Sequence, residues 1–372
     1  MSPATEPSEP APPPGTGAPP PGTGAPPPGT GATPPGSGAT PPAAVVFQSE
    51  VAGELAPYDY EEQTLAGAGV TLRVGRCAST AELVEAAAGA RVIWIEWGPD
   101  LTAEALAELP ELELVVRWGV GYDQIDTAAA TRLGIAVANA PSYCTHSVAE
   151  HALALALALT RRIVASDREI HRGGFGGAGW DVPTIGGSTF GVVGCGRIGS
   201  RVARLASAFG CEVLANDIRT PGQLPEGITM VGLRQLLERS DLVTLHVPLT
   251  AETRHLIDAE RLGWMKPGAL LVNTSRGRVV DEAALVEALR SGRLAGAGLD
   301  VYETEPLPLD SPLRSLDNAV LTPHEAASSP ASIVNLRAEI CRVTLQWLAA
   351  GWADSVVNPE VRPSRRWRAA PC

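Results

Sequence analysis

Three glycines at fixed spacing mark a loop that could approach a phosphate group. The segment Gly194-Cys195-Gly196-Arg197-Ile198-Gly199 has the pattern G-x-G-x-x-G. The first glycine suits a tight turn, the second lets a pyrophosphate approach the backbone, and the third lets a helix lie close to a sheet. Unpaired N–H groups at the start of that helix would attract the anion. The pattern favours a dinucleotide site, although alone it also fits a glycine turn that binds nothing.

The elements around this loop are those that a dinucleotide site needs. An apolar, β-branched run at 190–193 precedes it, and apolar residues at helical spacing follow it through 198–209. A second apolar run ends at Asp217, eighteen residues after Gly199. An acid at this place accepts hydrogen bonds from ribose hydroxyls and repels a 2′-phosphate, which favours NAD. Arg219 leaves NADP open, because its side chain could reach a 2′-phosphate.

A proline- and glycine-rich segment opens the chain of 372 residues. The repeat APPPGTG stands at 11–17, 18–24 and 25–31, and ATPPGSG follows at 32–38. Because these repeats offer no apolar side chains to bury, we expect residues 1–44 to be a disordered, extended tail. A ligand for an SH3-type domain is the alternative, but no basic residues flank the repeats. The rest of the chain is long enough for two domains.

Charge and cysteine content argue against several classes of partner. A net charge of −12 argues against nucleic acid, and we expect Arg362, Arg365, Arg366 and Arg368 to form a solvated basic tail. The N-terminus has neither a basic n-region nor an apolar h-region, and no apolar stretch is long enough to cross a bilayer. We therefore expect no membrane association and a cytoplasmic protein. The six cysteines include no Cys-x-x-Cys pair, which indicates reduced thiols and no metal site.

Short β-branched runs alternate with helical stretches through the rest of the chain. Strands are predicted at 72–74, 92–95, 114–116 and 135–137, with helices at 81–88, 103–109 and 124–133. One long apolar helix is predicted over 147–173. A second alternation runs through 243, 270–272 and 297–299 to 320–321, and a last helix covers 331–350. This order predicts an α/β protein with two doubly wound parallel sheets.

Several further stretches carry a more specific signal. They are Arg117-Trp118-Gly119-Val120-Gly121-Tyr122-Asp123-Gln124-Ile125-Asp126, His246-Val247-Pro248-Leu249-Thr250, Asn273-Thr274-Ser275-Arg276-Gly277, Gly298-Leu299-Asp300-Val301-Tyr302-Glu303-Thr304-Glu305-Pro306, and Thr322-Pro323-His324. With them, the chain resembles the D-isomer-specific 2-hydroxyacid dehydrogenases over residues 45–358. Residues 117–119 and 322–326 resemble most the branch with the C-terminal binding protein corepressors and the phosphoglycerate dehydrogenase-like enzymes.

The resemblance implies that Arg276, Glu305 and His324 are the catalytic residues. A planar guanidinium holds the carboxylate of a 2-oxo acid in two-pronged fashion and polarises its C2 carbonyl. An imidazole gives a proton to the developing alkoxide in reduction and removes it in oxidation. A neighbouring carboxylate favours the imidazolium and orients the ring. Each residue alone also fits a surface charge, a turn or a loop, but their joint order behind a dinucleotide loop argues against coincidence.

The resemblance also implies contacts to the cofactor and the substrate. The residues predicted to contact NAD are Gly194, Gly196, Arg197, Ile198, Gly199, Asp217, His246, Val247, Pro248, Thr253, Thr274, Ser275, Arg276, Asp300 and His324. Substrate contacts are predicted for Arg117, Val120, Gly121 and Arg276, with backbone N–H groups around Val120 and Gly121 meeting the carboxylate. For Arg117, an arginine that caps the preceding strand is the alternative.

Some positions depart from the resemblance or gain nothing from it. The corepressor branch has a tryptophan three residues after the histidine, where this chain has Ala327, so a selectivity contact is missing. Glu325 either faces solvent or disfavours a second anionic group on the substrate. His246 is predicted to lie at a strand end close to the cofactor. His151 and His255 are predicted to be packing or surface residues.

The predicted organisation is a Rossmann cofactor domain inserted into a flavodoxin-like substrate domain, with the site in the cleft between them. Residues 45–143 and 325–358 would form the substrate domain, 144–324 the NAD-binding domain and 359–372 a tail. The expected activity is reversible, NAD-dependent interconversion of a 2-oxo acid and a D-2-hydroxy acid. A NAD(H)-sensing, corepressor-like interaction protein is the alternative. A homodimer is expected, because residues 149–159 are apolar on more than one helix face.

Overall fold

The computed structural model describes residues 44–50, 57–96, 98–176, 183–219 and 227–366, with the backbone alone for 44–50. The predicted tail up to residue 43 and the chain end from 367 lie outside the described residues. The strands within these ranges are β1 (Ala44–Glu50), β2 (Val70–Arg76), β3 (Val92–Ile95), β4 (Leu114–Arg117), β5 (Ala136–Ala138), β6 (Thr189–Val193), β7 (Glu212–Asn216), β8 (Ile228–Met230), β9 (Leu242–Leu245), β10 (Ala269–Asn273), β11 (Leu294–Leu299) and β12 (Ala319–Leu321). The α-helices are α1 (Asp59–Ala66), α2 (Thr80–Ala86), α3 (Ala103–Ala107), α4 (Thr127–Arg132), α5 (Thr145–Thr160), α6 (Ile163–His171), α7 (Arg197–Ala208), α8 (Leu233–Arg239), α9 (Ala259–Trp264), α10 (Glu282–Arg290) and α11 (Pro330–Ala350).

The described strands form two parallel sheets. The first has the order β2-β1-β3-β4-β5 and the second the order β12-β11-β10-β9-β6-β7-β8. In each sheet, the strand numbers rise in opposite directions from one point. This point lies between β1 and β3 in the first sheet and between β6 and β9 in the second, as in doubly wound folds. The predicted α/β class with two parallel sheets is confirmed, and the order of the second sheet is that of a Rossmann domain.

The central strands are rich in apolar residues, as expected where helices cover both faces of a parallel sheet. Every residue of β3, β4 and β9 is buried. The strands predicted in the first half overlap β2, β3, β4 and β5 in turn. Helix α4 begins at Thr127, later than predicted, because the Asp126 side chain caps it by accepting a hydrogen bond from the Ala129 N–H.

The prediction of one long helix over 147–173 is wrong. Helix α5 ends at Thr160, and α6 begins at Ile163 after Arg162, whose φ of 54° is left-handed. The apolar residues of α5 pack against α7, β10 and β11, whereas α6 has no buried residue. The break lies where the chain leaves the core, a change that apolar periodicity does not resolve.

Helix α11 packs back onto the first sheet. It contacts α1 and β4, and the Thr344 Oγ1 accepts a hydrogen bond of 2.8 Å from the Trp94 Nε1. The predicted solvated tail is wrong at Arg366, whereas Arg362 is exposed as predicted. The backbone N–H of Arg366 donates to the Gly134 oxygen at 2.8 Å, and its side chain donates to the Leu109 oxygen at 2.9 Å. None of the described helices is both long and apolar enough to cross a bilayer.

The loops with the predicted site residues follow the carboxyl ends of strands. Arg117 ends β4, Gly194 follows β6, Arg276 follows β10, Asp300 follows β11 and His324 follows β12. In parallel sheets, ligands bind at these ends, near the point where the strand order reverses. The fold therefore gathers residues from distant parts of the sequence at the strand ends of both sheets.

Candidate active site

Each glycine of the G-x-G-x-x-G loop has its own structural reason. Gly194 has a φ of 92°, and a Cβ there would lie 2.6 Å from the His246 carbonyl oxygen. A Cβ at Gly199 would lie 1.8 Å from the Gly194 oxygen, so only glycine lets α7 approach the loop this closely. A Cβ at Gly196 would meet nothing within 4 Å. Gly196 thus faces open space, where a pyrophosphate could approach.

Helix α7 begins at this loop without a side-chain cap. Its N-cap residue is Gly196, which has no side chain to accept from the N–H groups of the first turn, those of Arg197 and Ile198 among them. Twelve residues give the helix a full dipole, with its positive end at the loop. The site therefore offers donors and partial positive charge to an anionic group.

Asp217 lies beside the loop, directly after β7. Its Oδ2 accepts a hydrogen bond of 2.7 Å from the Cys195 N–H, and its Oδ1 accepts one of 2.8 Å from the Arg219 N–H. The carboxylate is thereby held next to the glycines, where the ribose of a bound dinucleotide would lie. The side chains of Ile218 and Arg219 are exposed.

The turn after β10 presents Arg276. Asn273 organises this turn: its Oδ1 accepts from the N–H and the hydroxyl of Ser275, and its Nδ2 donates to the Arg276 oxygen at 2.9 Å. The buried Thr274 Oγ1 has no hydrogen-bond partner among the described residues. A buried hydroxyl without a partner is costly, so it fits a site completed by a polar ligand. Thr274, the open space at Gly196 and the carboxylate of Asp217 together fit a bound dinucleotide.

Arg276 reaches from the second sheet to a loop of the first. Its Nε donates to the Asp123 Oδ1 at 2.8 Å, and its Nη1 donates to the Ser275 oxygen at 2.8 Å. A Cβ at Gly121 would lie 1.6 Å from Arg276 Nη2, so the absent side chain leaves room for the guanidinium. Partial burial acts to raise the pKa of Asp123, but the charge and hydrogen bond of Arg276 lower it below its ordinary value.

Arg117 and Val120 lie at the same end of the first sheet. The Arg117 guanidinium is buried, and its Nη1 donates to the carbonyl oxygens of Ile95 and Trp118. Burial, aided by the charge of Arg276, lowers the pKa of Arg117 to about 10. These contacts match the strand-capping alternative. The Val120 oxygen accepts a hydrogen bond of 2.7 Å from the Asn139 Nδ2, which fixes the loop.

His324 and Glu305 form a direct pair. His324 Nδ1 lies 2.6 Å from Glu305 Oε2, and Glu305 Oε1 accepts a hydrogen bond of 2.9 Å from the Tyr302 N–H. Partial burial acts to raise the pKa of Glu305, but the hydrogen bond and charge of His324, the Tyr302 N–H and the charge of Arg276 together lower it. Because Glu305 is therefore ionised, the His324 Nδ1 donates to it.

Asp300 accepts hydrogen bonds from the loop that carries His324. This carboxylate is 1% exposed and accepts from the Thr322 Oγ1 at 2.6 Å, the Glu325 N–H at 3.0 Å and the Ala326 N–H at 2.9 Å. The residues on both sides of His324 are thus fixed to one buried acid. The sequence patterns gave Asp300 only a cofactor contact.

The loop after β9 faces the glycine loop. The His246 Nε2 lies 3.0 Å from the Thr244 Oγ1, and burial lowers the pKa of His246 to about 3, so this imidazole is neutral. A Cβ at Gly194 would also meet Val247 at 2.9 Å. The Thr253 hydroxyl is used within the loop itself, since it donates to the Pro248 oxygen at 2.6 Å.

The remaining singled-out residues lie around this centre. Glu325 is exposed, and Ala327 packs with Val120 against a small apolar cluster. His255 has a φ of 50°, and its Nε2 lies 2.8 Å from Glu303 Oε1. Its side chain is 36% exposed, which fits the surface alternative of the prediction. Among the described residues, no three His, Cys, Asp or Glu side chains cluster as metal ligands would.

The sequence reasoning missed Asp123, Tyr302 and Thr322 as site residues. Asp123 and Thr322 stand inside quoted motifs, but their partners are remote: Asp123 and Arg276 are 153 positions apart. Tyr302 acts through its backbone N–H, which no residue type reveals. The available signal for these residues was their place after predicted strands, because the carboxyl ends of parallel strands lie at the same edge of a sheet.

Comparison with known proteins gives one family. A family model described as "D-isomer specific 2-hydroxyacid dehydrogenase, NAD binding domain" matches residues 153–326. The chain is similar to the glyoxylate reductase of Korarchaeum cryptofilum, with 43% identity over 267 residues that cover 70% of this chain and 80% of the relative. The D-3-phosphoglycerate dehydrogenase of Mycobacterium tuberculosis is 41% identical over 279 residues, which cover 74% of this chain and 53% of that one. The chain thus spans about half the length of this second relative.

Solved structures of similar proteins point to the same family. The D-lactate dehydrogenase of Aquifex aeolicus, complexed with NAD and lactic acid, is similar with a TM-score of 0.74 and 32% identity, covering 86% of this chain and 98% of that one. The matched region 153–326 includes the glycine loop, Asp217, Arg276 and His324. From the extent of these likenesses, the chain belongs to the D-isomer specific 2-hydroxyacid dehydrogenase family, and its second sheet lies in an NAD-binding domain of that family.

Proposed function

We propose that this protein is an NAD-dependent D-2-hydroxyacid dehydrogenase, which interconverts a 2-oxo acid and a D-2-hydroxy acid. The observation that carries the proposal is the 2.6 Å contact between His324 Nδ1 and Glu305 Oε2. It lies at the strand ends that also present Arg276 and the glycine loop. This contact leaves the His324 Nε2 as the nitrogen that exchanges a proton with the substrate.

The substrate carboxylate is held by Arg276 together with backbone N–H groups around Val120 and Gly121. Asp123 and the Ser275 oxygen engage Nε and Nη1 of the guanidinium, while Nη2 lies against Gly121. A carboxylate that approaches the guanidinium beside Gly121 would therefore meet the Arg276 donors and the N–H groups of the loop together. Arg117 adds positive charge from behind the loop.

His324 acts as general acid in reduction and general base in oxidation. NAD, when bound, supplies or accepts the hydride at C2 of the substrate. In reduction, the His324 imidazolium gives its Nε2 proton to the developing alkoxide oxygen, while Nδ1 keeps its hydrogen bond to Glu305. Glu305 compensates the charge of the ring and fixes its orientation.

The glycine loop and its neighbours bind the cofactor. The N–H groups of Arg197 and Ile198 would meet the pyrophosphate of NAD, and Asp217 would accept from its ribose hydroxyls. The carboxylate of Asp217 disfavours a 2′-phosphate, which supports NAD rather than NADP. The other predicted cofactor contacts belong to the same proposal: His246, Val247, Pro248, Thr253, Thr274, Ser275 and Asp300.

The test is a spectrophotometric assay with NADH and a panel of 2-oxo acids, including glyoxylate, pyruvate and 3-phosphohydroxypyruvate. We expect at least one acid to consume NADH. The matched variant Arg276→Ala should lose turnover while it keeps its affinity for NADH, measured by fluorescence. If no acid consumes NADH above background although the protein binds NADH, the proposed activity is wrong. The alternative of a corepressor-like sensor finds no support in the relatives, which carry enzyme names.

The organisation of the protein belongs to the proposal as well. Residues 45–143 and 325–358 would form the substrate domain and 144–324 the NAD-binding domain. A cytoplasmic location is consistent with the five cysteines of the described residues, all free thiols. A homodimer is supported by α6, which has no buried residue and exposes Ile163 by 55% and Ile170 by 54%. Phe175, just after it, is 96% exposed.

A further inference from the structure

Helix α5 contacts the His324 loop through a side chain that the proposed mechanism does not use. The Nε2 of His151 lies 3.0 Å from the Thr322 Oγ1 and 3.5 Å from the Asp300 Oδ1. His151 stands in the middle of α5, between buried residues that fix the helix against β10 and β11. The helix therefore offers a rigid support from which His151 reaches the loop.

The direction of the hydrogen bonds in this cluster follows from chemistry. Both carboxylate oxygens of Asp300 accept from backbone N–H groups, and in the same way the Oδ1 accepts the proton of the Thr322 hydroxyl at 2.6 Å. The Thr322 Oγ1 then accepts from His151, which must carry its proton on Nε2. The three groups form a chain that runs from the His151 N–H through the Thr322 hydroxyl to Asp300. Such chains strengthen each member and leave one geometry.

The end of this chain holds the backbone around His324. Asp300 also accepts from the N–H groups of Glu325 and Ala326, and the Tyr302 hydroxyl donates to the Thr322 oxygen at 2.8 Å. Between these anchors, His324 has a φ of 54°. A residue with a Cβ adopts this left-handed conformation only where its surroundings enforce it. The loop thus depends on contacts outside itself.

We propose that His151 is a positioning residue for His324, acting through Thr322 and Asp300. By holding the loop in its left-handed turn, this chain keeps the His324 ring against Glu305 and aimed at the substrate. The inference rests on the proposed function for its catalytic consequence, but its structural part can be measured separately. If His151 only filled space in the packing of α5, its Nε2 would not need to lie within hydrogen-bond distance of the Thr322 hydroxyl.

The experiment compares His151→Phe with His151→Gln. Phenylalanine removes the N–H, whereas glutamine can return a donor to the Thr322 hydroxyl. For His151→Phe we expect kcat to fall on the order of 10-fold, because small misplacements of a catalytic group reduce rate strongly. The KM for NADH should stay within about 2-fold, since most of the predicted cofactor contacts lie on the glycine loop and on the turns after β7, β9 and β10. His151→Gln should restore most of kcat. The control is His146→Gln, which changes an exposed histidine of the same helix.

A double-mutant cycle tests the route of the effect. In a Thr322→Val background the chain is already broken, so His151→Phe should lower kcat by less than about 2-fold. Equal effects in both backgrounds would mean that His151 does not act through Thr322 and would overturn the inference. So would a normal kcat in His151→Phe, or a loss that glutamine fails to rescue.

Amide hydrogen exchange gives a readout without turnover. The N–H groups of Glu325 and Ala326 should exchange faster in His151→Phe than in the wild type, and His146→Gln should leave them unchanged. Unchanged exchange in His151→Phe would overturn the inference even if activity fell. A wild-type protein that reduces no 2-oxo acid would contradict the proposed function, while the exchange of these two amides would still decide the positioning role.

Discussion

The guanidinium of Arg276, after β10 of the second sheet, is bonded to the carboxylate of Asp123, after β4 of the first, with 2.8 Å between Nε and Oδ1. The residue proposed to hold the substrate is therefore oriented from the opposite sheet. Because the bond uses the Nε edge, the remaining Nη2 is presented next to Gly121. A change in the relative position of the two sheets would therefore change the orientation of the Arg276 guanidinium.

Asp123→Ala should impair substrate binding more than cofactor binding. Without the carboxylate, the Arg276 side chain regains rotational freedom, and we expect the KM for the 2-oxo acid to rise about 10-fold. The KM for NADH should change by less than about 2-fold. Asp123→Asn keeps an acceptor for Nε, so its KM for the 2-oxo acid should lie between those of the wild type and Asp123→Ala. Steady-state kinetics measure these values, and an unchanged KM in Asp123→Ala would show that Arg276 is oriented without Asp123.

Gly121→Ala should displace the same guanidinium by a steric route. The added Cβ would lie 1.6 Å from Arg276 Nη2, so the arginine must move. We expect kcat/KM for the 2-oxo acid to fall about 100-fold, with little change in the melting temperature. Gly263→Ala is the matched control, because a Cβ there meets nothing within 4 Å. Wild-type kcat/KM in Gly121→Ala would mean that the arginine moves without loss of function.

Asp217→Ala should weaken the preference for NADH. Removing the carboxylate takes away the acceptor for the ribose hydroxyls and the repulsion of a 2′-phosphate. We expect the ratio of kcat/KM for NADH to that for NADPH to fall about 10-fold or more, which corresponds to about 1.4 kcal/mol. The side chain of Arg219 would then be free to meet the phosphate. A ratio equal to that of the wild type would show that Asp217 does not select the cofactor.

Local patterns predicted the α/β fold with two parallel sheets, and they identified the glycine loop of the candidate site. The glycine loop, its strands and Asp217 lie within about thirty residues, where turn and helix rules operate directly. The break at Arg162 was missed because apolar periodicity continues through it. The Asp123–Arg276 pair and the His151–Thr322 contact join residues far apart in sequence, so they depend on which strand ends meet.

Ile170→Asp should disrupt the proposed homodimer. Ile170 is 54% exposed on α6, and placing a charge in an apolar contact costs desolvation energy. We expect light scattering at micromolar concentration to show a dimer for the wild type and mostly monomer for the variant. Val334→Asp is a control on another exposed apolar residue, at the start of α11, and should stay dimeric. A wild-type monomer, or a variant that remains a dimer, would contradict the role of α6.

Glu305→Gln should move the pH profile of the reaction. The pKa of Glu305 is lowered below its ordinary value of 4.5, so at neutral pH the carboxylate is ionised and compensates the His324 imidazolium. Reduction needs the imidazolium and falls as pH rises, whereas oxidation needs the neutral ring and rises. Glutamine keeps the shape of the side chain but removes its charge, which makes the imidazolium less favourable.

The alkaline limb of the reduction profile should therefore move to lower pH in Glu305→Gln. His246 does not contribute to this limb, because burial lowers its pKa to about 3. Glu303→Gln is the matched control, since Glu303 pairs with His255 at 2.8 Å and not with His324. The profile of kcat/KM against pH, measured for both variants in the direction of reduction, decides the matter. If Glu305→Gln keeps its limb where the wild type has it, with the fold intact, Glu305 is not coupled to the proton donor.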